Sequence, residues 1–367
     1  MFRKSAQPTK PTGTVSITEA GPCQKSVRLQ VGPEEIAPVR AAVLGEFQKQ
    51  AALPGFRKGK APLELVEKQY AKPVHDETLH RVTQETFERA VNDHGLKPVG
   101  PFQVNRAEYH DGDGLTLEAT VEVEPEFALS TYRGIPLTRT SADVSSADIA
   151  QALAKLQESM AQLVPVAEGA PKERQVPGLD DELAKDLGFA TLEKLRAHVE
   201  AKLREQQRTA QSRQLESALC DELLKRHAFE VPPGLVSHQT ERLTRDFKVR
   251  LLMAGKTEAQ VEEEAAKFTE QLRTNAQRYV KLGFILERIA EKESMTVTQD
   301  EVVSHLWQLA RRWQKDPAEV RKLLDAQGLW PSVVSTIRHE KTVTLLLGAA
   351  KITNGTVSTT EVKSFEF

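Results

Sequence analysis

A ten-residue stretch, 53–62, concentrates side chains suited to binding an anionic partner. It holds two prolines, two glycines, three cations and one aromatic ring, and no carboxylate. Prolines and glycines favour tight turns, and a cationic segment without carboxylates can contact phosphate oxygens. The composition predicts a stiffened loop that presents charge and a ring outward, although a solvated connection between two helices would have the same composition.

The glycines and lysine of this stretch resemble a phosphate-binding P-loop but do not meet its requirements. The spacing from Gly55 to Gly59-Lys60 is one residue short of G-x-x-x-x-G-K. Ala61 occupies the position of the Ser or Thr that would ligate magnesium, and no strand is predicted before the loop. We therefore do not expect nucleotide hydrolysis.

The sequence contains no recognisable catalytic or metal-binding pattern. Its nine histidines fall in no H-E-x-x-H or similar arrangement, and no G-x-S-x-G or nucleophilic-cysteine signature is present. Cys23 and Cys220 lie far apart and match no metal or redox spacing, which is typical of inert thiols in a reducing compartment. We predict no catalytic residue, no metal and no cofactor.

The overall charge argues against a general nucleic-acid binder. Charged residues make up 28% of the 367 residues, but the formal net charge is only -2, so we expect no DNA binding and only local RNA contacts. The first dozen residues lack the apolar core of a signal peptide, and no apolar run approaches membrane-spanning length. These features predict a soluble cytoplasmic protein without a membrane partner.

The elements around the loop predict an α+β domain over residues 14–125. A strand pattern begins at Val15, with apolar and polar residues in alternation. Helical spacing then covers 33–52 and 62–95, on the two sides of the loop. Two further strands flank a turn sequence at 111–114. The loop is therefore predicted at a helix-helix junction.

Beyond this domain nearly all of the chain is predicted to be helical. An extended segment at 127–140 leads into a helix at 146–163, and a linker at 164–178 follows with three prolines and two glycines. Further helices are predicted over 191–227, 233–253, 257–293, 298–313, 317–327 and 331–350. Several exceed the usual length of globular helices.

These helices predict a discontinuous, elongated, mostly α domain with arms, over 126–163 and 179–353. Tails are predicted at 1–13 and 354–367. Long arms cannot bury every face, so residual apolar patches between charged rims would suit transient binding of unfolded chain. Taken singly such residues more often belong to a core, but as a group they are the candidate contact residues: Phe247, Leu251, Leu252, Met253, Trp307 and Trp313.

Residues 55–62, Gly-Phe-Arg-Lys-Gly-Lys-Ala-Pro, resemble the G-F-R-x-G-x-x-P signature of the trigger factor family of bacterial ribosome-associated chaperones. They also lie where the family has this signature, between two helices of an N-terminal α+β domain. The resemblance continues through 121–126, through 176–183 and through Gly188-Phe189. It covers nearly the whole chain.

The resemblance implies that the loop docks beside the exit of the peptide tunnel on the large ribosomal subunit, in contact with ribosomal protein and ribosomal RNA. The implied ribosome-binding residues are Gly55, Phe56, Arg57, Lys58, Gly59, Lys60 and Pro62. The helical part would shield nascent and unfolded polypeptides during folding or export, without ATP, and the free protein could form a weak homodimer. Two alternatives stay open, an off-ribosome holdase or assembly chaperone and, less favoured, a peptidyl-prolyl isomerase.

The family's usual form carries an FKBP-type isomerase domain inserted into the helical body, and this sequence departs from that form. The helix predicted to end at Leu163 leads through the linker directly into the segment that would follow the isomerase. Between Ser141 and Glu230 the only aromatic residues are Phe189 and Phe229. This segment therefore lacks the aromatic residues needed to line a proline-binding pocket. We predict that the isomerase domain is missing and that the chain is not an enzyme.

Overall fold

A computed structural model describes most of the chain. The described residues are 14–110, 114–140, 143–165 and 172–355. The tail predicted at 1–13 lies outside them, as do most of the tail predicted at 354–367 and the first three residues of the turn predicted at 111–114.

The described chain contains strands and helices that we number in chain order. The strands are β1 (Thr14–Gly21), β2 (Gln24–Val31), β3 (Gln103–His110), β4 (Gly114–Glu122), β5 (Pro136–Arg139), β6 (Gln162–Pro165), β7 (Lys172–Gln175) and β8 (Lys351–Asn354). The helices are α1 (Pro33–Gln50), α2 (Leu63–Gln69), α3 (Ala71–Asp93), α4 (Ser146–Ser159), α5 (Asp181–Asp186), α6 (Leu192–Arg226), α7 (Pro233–Met253), α8 (Glu258–Lys267), α9 (Thr269–Lys292), α10 (Gln299–Trp313), α11 (Pro317–Ala326) and α12 (Trp330–Gly348). A small strand-containing domain is thus followed by a mostly helical region, as predicted.

Two compact units are formed, each from separated parts of the chain. The first combines the N-terminal residues up to Ala128 with Ala228–Phe284, and the second combines Leu129–His227 with the residues from Ile285 onward. The first unit therefore contains β1 to β4, α1 to α3, α7, α8 and the first part of α9.

A four-stranded antiparallel sheet forms the centre of the first unit, in the order β1-β2-β4-β3. Val27 and Leu29 of β2 lie opposite Ala119 and Leu117 of β4, and all four are buried. Alternation of apolar and polar residues predicts β4 well because only one sheet face enters the core.

Helices α1 and α3 pack on this buried face through two apolar clusters. One cluster joins Phe87 and Ala90 of α3 to β2 and β4. The other consists of Val31, Ile36, Val39, Val43, Val74, Val82 and Leu115. The ends of α1 and α2, and the loop between them, are positioned by this packing.

Contacts at the end of the sheet attach α7 within the first unit. The backbone N–H of Gly234, at the start of α7, donates to the Glu122 carboxylate at 2.7 Å. The rings of Phe127 and Phe229 stack with centroids 4.1 Å apart. The Cys23 thiol donates to the carbonyl oxygen of Glu230 at 3.3 Å. Helices α7 and α8 pack against each other as a hairpin. Hydrogen bonds and stacking thus hold the base of this hairpin.

The prediction of one continuous helix over 257–293 was wrong. The structure has two helices, α8 and α9, with a break at Phe268. The hydroxyl of Thr269 donates to the carbonyl oxygens of Ala265 and Ala266, both at 3.1 Å. Such side-chain bonds to the preceding turn compete with the backbone ladder and mark a point where a helix bends or ends.

The second unit is mainly helical and has two small sheets. One apolar cluster joins α10, α11 and α12 through Ala310, Val320 and Ile337, and another joins α4, α5 and α6. Strands β5 and β8 pair in parallel, whereas β6 and β7 pair antiparallel. The two partners of the β5–β8 pair are more than two hundred residues apart in sequence.

Two predicted element boundaries were wrong in this unit. The helix predicted at 146–163 ends at Ser159 because residues 162–165 form a strand instead. That strand pairs with 172–175, inside the stretch predicted as a linker at 164–178. The reversal expected there is present as an antiparallel pair, and residues 166–171 between its strands lie outside the described chain.

Candidate functional site

The predicted loop connects α1 to α2, and its first half is a tight turn. The backbone N–H of Phe56 donates to the Leu53 carbonyl at 3.1 Å. Pro54 and Gly55 occupy the two central positions, and Gly55 has a φ of +85°. Proline followed by a residue of positive φ is the arrangement of a type II turn. This turn places Phe56 at its fourth position.

A second turn follows directly and brings the chain back towards α1. The backbone N–H of Lys60 donates to the Arg57 carbonyl at 2.9 Å, and that of Gly59 donates to the Ala51 carbonyl at 3.4 Å. Gly59 has a φ of +79°. A Cβ at this position would lie 3.3 Å from the Lys49 carbonyl oxygen, so conformation and close approach both favour glycine.

A small apolar cluster closes the base of the loop. Ala51 and Ala61, on the two sides of the loop, are buried together with Val66 of α2. The Gln48 side-chain amide donates to the Ala61 carbonyl at 2.7 Å. The base is therefore packed and hydrogen-bonded, which fixes the direction in which the loop leaves the domain.

The loop exposes its charged side chains and its ring to solvent. Arg57, Lys58 and Lys60 are exposed, and 43% of Phe56 is exposed. Among the residues that the structure describes, none of the three cations makes an ion pair. The charges are thus available to an external partner without a described ion pair being broken, and part of the Phe56 ring is open to contact.

Neighbouring charges, by contrast, are used to hold the helices together. The Arg81 guanidinium of α3 donates to the Glu46 carboxylate of α1 at 2.6 and 2.9 Å and to Glu77 at 2.7 Å. The hydrogen bond from Arg81 holds the pKa of Glu46 below its usual value. Arg40 of α1 pairs with Glu67 of α2 at 3.0 Å. These pairs fix the helices on either side of the loop.

The predicted contact residues of α7 form an apolar tip at the end of that helix. Met253 is 84% exposed and Leu252 is also exposed, whereas Phe247 and Leu251 are partly buried. The rings of Phe247 and Phe268 meet edge to face with centroids 5.4 Å apart. No residue of α7 is fully buried, and its last apolar side chains, Leu252 and Met253, are the most open to solvent.

Sequence reasoning missed two residues of this tip. Val249 is exposed and follows the same helical face as Leu252 and Met253, at i, i+3 and i+4. That spacing could have identified it. Phe268 is also exposed, but its place beside Phe247 depends on the break between α8 and α9, which local periodicity does not reveal.

The charges of this hairpin are balanced. Residues 241–267 contain six cations and six carboxylates. The Lys248 ammonium lies 2.7 Å from the Glu262 carboxylate, and Lys256 pairs with Glu264. The tip therefore offers apolar contact without a net field.

The two predicted tryptophans of α10 lie on different faces of that helix. Trp313 follows Leu306 and Leu309 at helical spacing, and these leucines pack against the α10–α12 cluster. Trp307 lies one turn after Val303, on a different face of α10 from Trp313, and is 61% exposed. Trp307 is thus the more accessible of the two rings.

The described residues show neither a metal-binding cluster nor a membrane-spanning helix. No group of three or more His, Cys, Asp or Glu side chains there is arranged to hold a metal ion. No described helix combines the length and apolar character needed to cross a membrane. A helix, α1, precedes the loop in place of the strand that a P-loop requires.

Comparisons with protein families match both halves of the chain. A family model described as bacterial trigger factor protein matches residues 14–156, and a model of the bacterial trigger factor C-terminus matches residues 191–348. The loop at 53–62 lies inside the first match, and α7, α8 and α10 lie inside the second.

Similar proteins extend over nearly the same range. A trigger factor from Anaeromyxobacter sp. (strain Fw109-5) is 26% identical over 425 residues, covering 92% of this chain and 99% of the relative. A trigger factor from Citrifermentans bemidjiense is 23% identical over 426 residues, covering 92% and 98%.

A solved structure shows the same fold. Its title is "Promiscuous Substrate Recognition in Folding and Assembly Activities of the Trigger Factor Chaperone", and it aligns with a TM-score of 0.52 and 18% identity over 91% of this chain and 99% of its own. The family models, the relatives and the fold agree, and the chain belongs to the trigger factor family of molecular chaperones.

Proposed function

We propose that this protein is an ATP-independent chaperone that docks through residues 53–62 at the tunnel exit of the large ribosomal subunit and shields emerging polypeptides. The observation that carries the proposal is the loop itself. Two glycine turns hold Phe56, Arg57, Lys58 and Lys60 outward, and the three cations have no ion pair among the described residues.

Docking would use two kinds of contact. The three cations would meet phosphates of ribosomal RNA, and Phe56 would pack against a ribosomal protein surface. Because the turns and the base at Ala51 and Ala61 already hold the loop in one conformation, little ordering entropy would be lost on binding. The interaction would be reversible, since its area is small.

Shielding would use apolar residues that the fold leaves exposed. The proposed contacts are Phe247, Leu251, Leu252, Met253, Trp307 and Trp313, with Val249 and Phe268 added at the α7 tip. Weak, distributed apolar contacts allow many unfolded sequences to bind and leave. We call such an unfolded or nascent polypeptide a client.

We further propose that the chain acts without proline isomerase activity. Only residues 157–190 separate the two family matches, fewer than the roughly 40 residues below which domains seldom fold without disulfides or metals. Isomerisation of a proline-containing peptide should stay at the uncatalysed rate. A rate enhancement that an FKBP-type inhibitor removes would contradict this proposal.

The test of docking is co-sedimentation with ribosomes. The variant F56A/R57A/K58A should keep its fold and lose binding. The matched control V104A/R106A/K97A removes one exposed apolar residue and two cations from the same unit, where the two cations make only surface ion pairs. This control should bind like wild type.

The result distinguishes ribosome docking from its main alternative. If F56A/R57A/K58A still co-sediments, the loop is not the anchor. If wild type does not co-sediment but prevents aggregation of an unfolded client, the protein is an off-ribosome holdase instead.

A further inference from the structure

Two adjoining hollows lie along α10 in the second unit, and we call them together the α10 groove. One part, of about 620 Å³, lies between α10 and α12, and another, of about 440 Å³, lies beside Trp307. Gln308 lines both parts. The two parts therefore adjoin, and together they follow the helix from its first turn to its last.

The end of the groove at the first turn of α10 is negative. Asp300 and Glu340 line it and are exposed. Glu301 also lines it, but its carboxylate lies 2.7 Å from the Lys341 ammonium, so this pair adds no net charge. His305 lies 3.9 Å from Glu340.

The end at the last turn of α10 is positive. Arg311 and Arg312 line the groove there, are exposed, and make no ion pair with any residue that the structure describes. Residues 307–315 contain three cations and no carboxylate. A carboxylate from a ligand would find two unpaired guanidinium groups, which suit carboxylate recognition.

The middle of the groove is apolar. Trp307 lies between Asp300 and Arg311 on this face of α10, four residues before Arg311, and its ring is 61% exposed. A side chain that enters between the charged ends would lose water contact against this ring. The groove thus has three parts in line, a negative end, an apolar centre and a positive end.

The helix sets the distance between the ends. Asp300 and Arg311 are three turns apart and lie on the same face of α10, because a turn has about 3.6 residues. At about 1.5 Å per residue, their backbone positions are roughly 16 Å apart. An extended peptide rises about 3.3 Å per residue, so roughly five residues would span this distance.

We propose that the α10 groove selects extended client segments that carry a cation and a carboxylate about five residues apart, with an apolar side chain between them. The proposal rests on the client-binding role proposed above and names the class of client that this surface prefers. It follows from charge complementarity at the two ends and from the exposed ring between them.

The same charges also complement the macrodipole of α10, with carboxylates in its first turn and arginines in its last. A purely structural role would change stability and leave peptide preference untouched. The test therefore needs a binding preference as its readout, with thermal unfolding measured alongside.

The experiment measures fluorescence anisotropy of labelled peptides with the full chain. All peptides share one apolar core. Four of them have two variable positions five residues apart, which hold Lys and Glu, two Lys, two Glu or two Gln. In the fifth peptide Lys and Glu are adjacent. Wild type should bind the first peptide about fivefold more tightly than the Gln peptide, as two exposed charge pairs allow. It should bind the other three more weakly than the first.

Charge reversal at one end gives the decisive variant. R311E/R312E should change the preference to the peptide with two lysines, and R311Q/R312Q should lose the preference without reversing it. The matched control R321E/K322E makes the same charge change on the neighbouring α11, outside the groove. It should keep the wild-type order of affinities.

The possible results distinguish failure of the selectivity proposal from failure of the chaperone proposal. If wild type binds all five peptides equally, or if R311E/R312E keeps the wild-type order, the groove is not selective and the proposal is wrong. If wild type then still prevents aggregation of an unfolded client, the chaperone function stands and only the selectivity fails. If it neither prevents aggregation nor binds any peptide, both proposals fail.

Discussion

The loop at 53–62 and the tip of α7 both expose apolar side chains but hold them in different ways. In the loop, two turns and a buried base determine where Phe56 points. In α7 no residue is buried, and Leu252 and Met253 extend from a helix into solvent. A preorganised surface suits one partner of defined shape, whereas flexible side chains such as methionine suit many.

The loop and the tip also differ in charge, and this difference again favours one defined partner for the loop and many for the tip. The three loop cations have no ion pair among the described residues, whereas the hairpin balances six cations with six carboxylates and pairs Lys248 and Lys256 with glutamates. We therefore expect the loop to bind one anionic partner with salt dependence and the hairpin to bind apolar segments without it.

The salt dependence of binding should distinguish the loop from the α7 tip most strongly. Three phosphate contacts give a log-log slope of roughly -2 to -3, so ribosome binding should weaken about 15-fold to 60-fold between about 50 and 200 mM salt. Binding of an uncharged unfolded client should change less than about twofold, because apolar burial does not depend on screening. Parallel titrations measure both. Equal salt dependence would remove the distinction.

Removing the apolar tip should weaken client binding next most strongly. Half-burial of Leu252 and Met253 contributes about 1 kcal/mol each, so L252S/M253S should bind clients about thirtyfold more weakly. Aggregation assays and client titration measure this effect. Ribosome binding should stay unchanged, and V104S, which alters another exposed residue of the same unit, serves as control. Lost ribosome binding would show that the two surfaces are not separate.

Glycine substitution tests preorganisation of the loop. A left-handed residue with a Cβ costs about 1 kcal/mol, and at Gly59 that Cβ would also approach the Lys49 carbonyl. G59A should weaken ribosome binding by more than about fivefold. G55A has a similar φ but no heavy atom within 4 Å of its Cβ, so its effect should be smaller. Equal effects would mean that close packing at Gly59 is unimportant.

Breaking a hairpin ion pair should have the smallest effect. The Lys248–Glu262 pair is largely on the surface, and such pairs contribute about 1 kcal/mol or less. K248A should change client affinity by less than about fivefold and leave ribosome binding intact. A cycle with E262A and K248A/E262A measures the coupling. A coupling energy well above this range would show that charge, and not only apolar area, determines client binding at the α7 tip.

The loop was predictable because its signal is local. Pro54, Gly55 and Gly59 determine turns through their own backbone preferences, and the helical spacing on both sides predicts α1 and α2 correctly. The place of Phe268 beside Phe247 was not predictable, because it depends on the break between α8 and α9, where the Thr269 hydroxyl bonds back to α8. Likewise, only the packing around α10 separates Trp307 from Trp313.

The amino-acid sequence alone determined the α+β class of the first domain, most of its strands and helices, the turns of the cationic loop at 53–62 and the resemblance to the family. These properties depend on residue type and on spacing over a few residues. The tertiary structure decided which residues remain in contact with solvent, which charges are paired, and that β5 pairs with β8 and Gly234 with Glu122. Such properties depend on contacts between distant parts of the chain, which local periodicity does not encode.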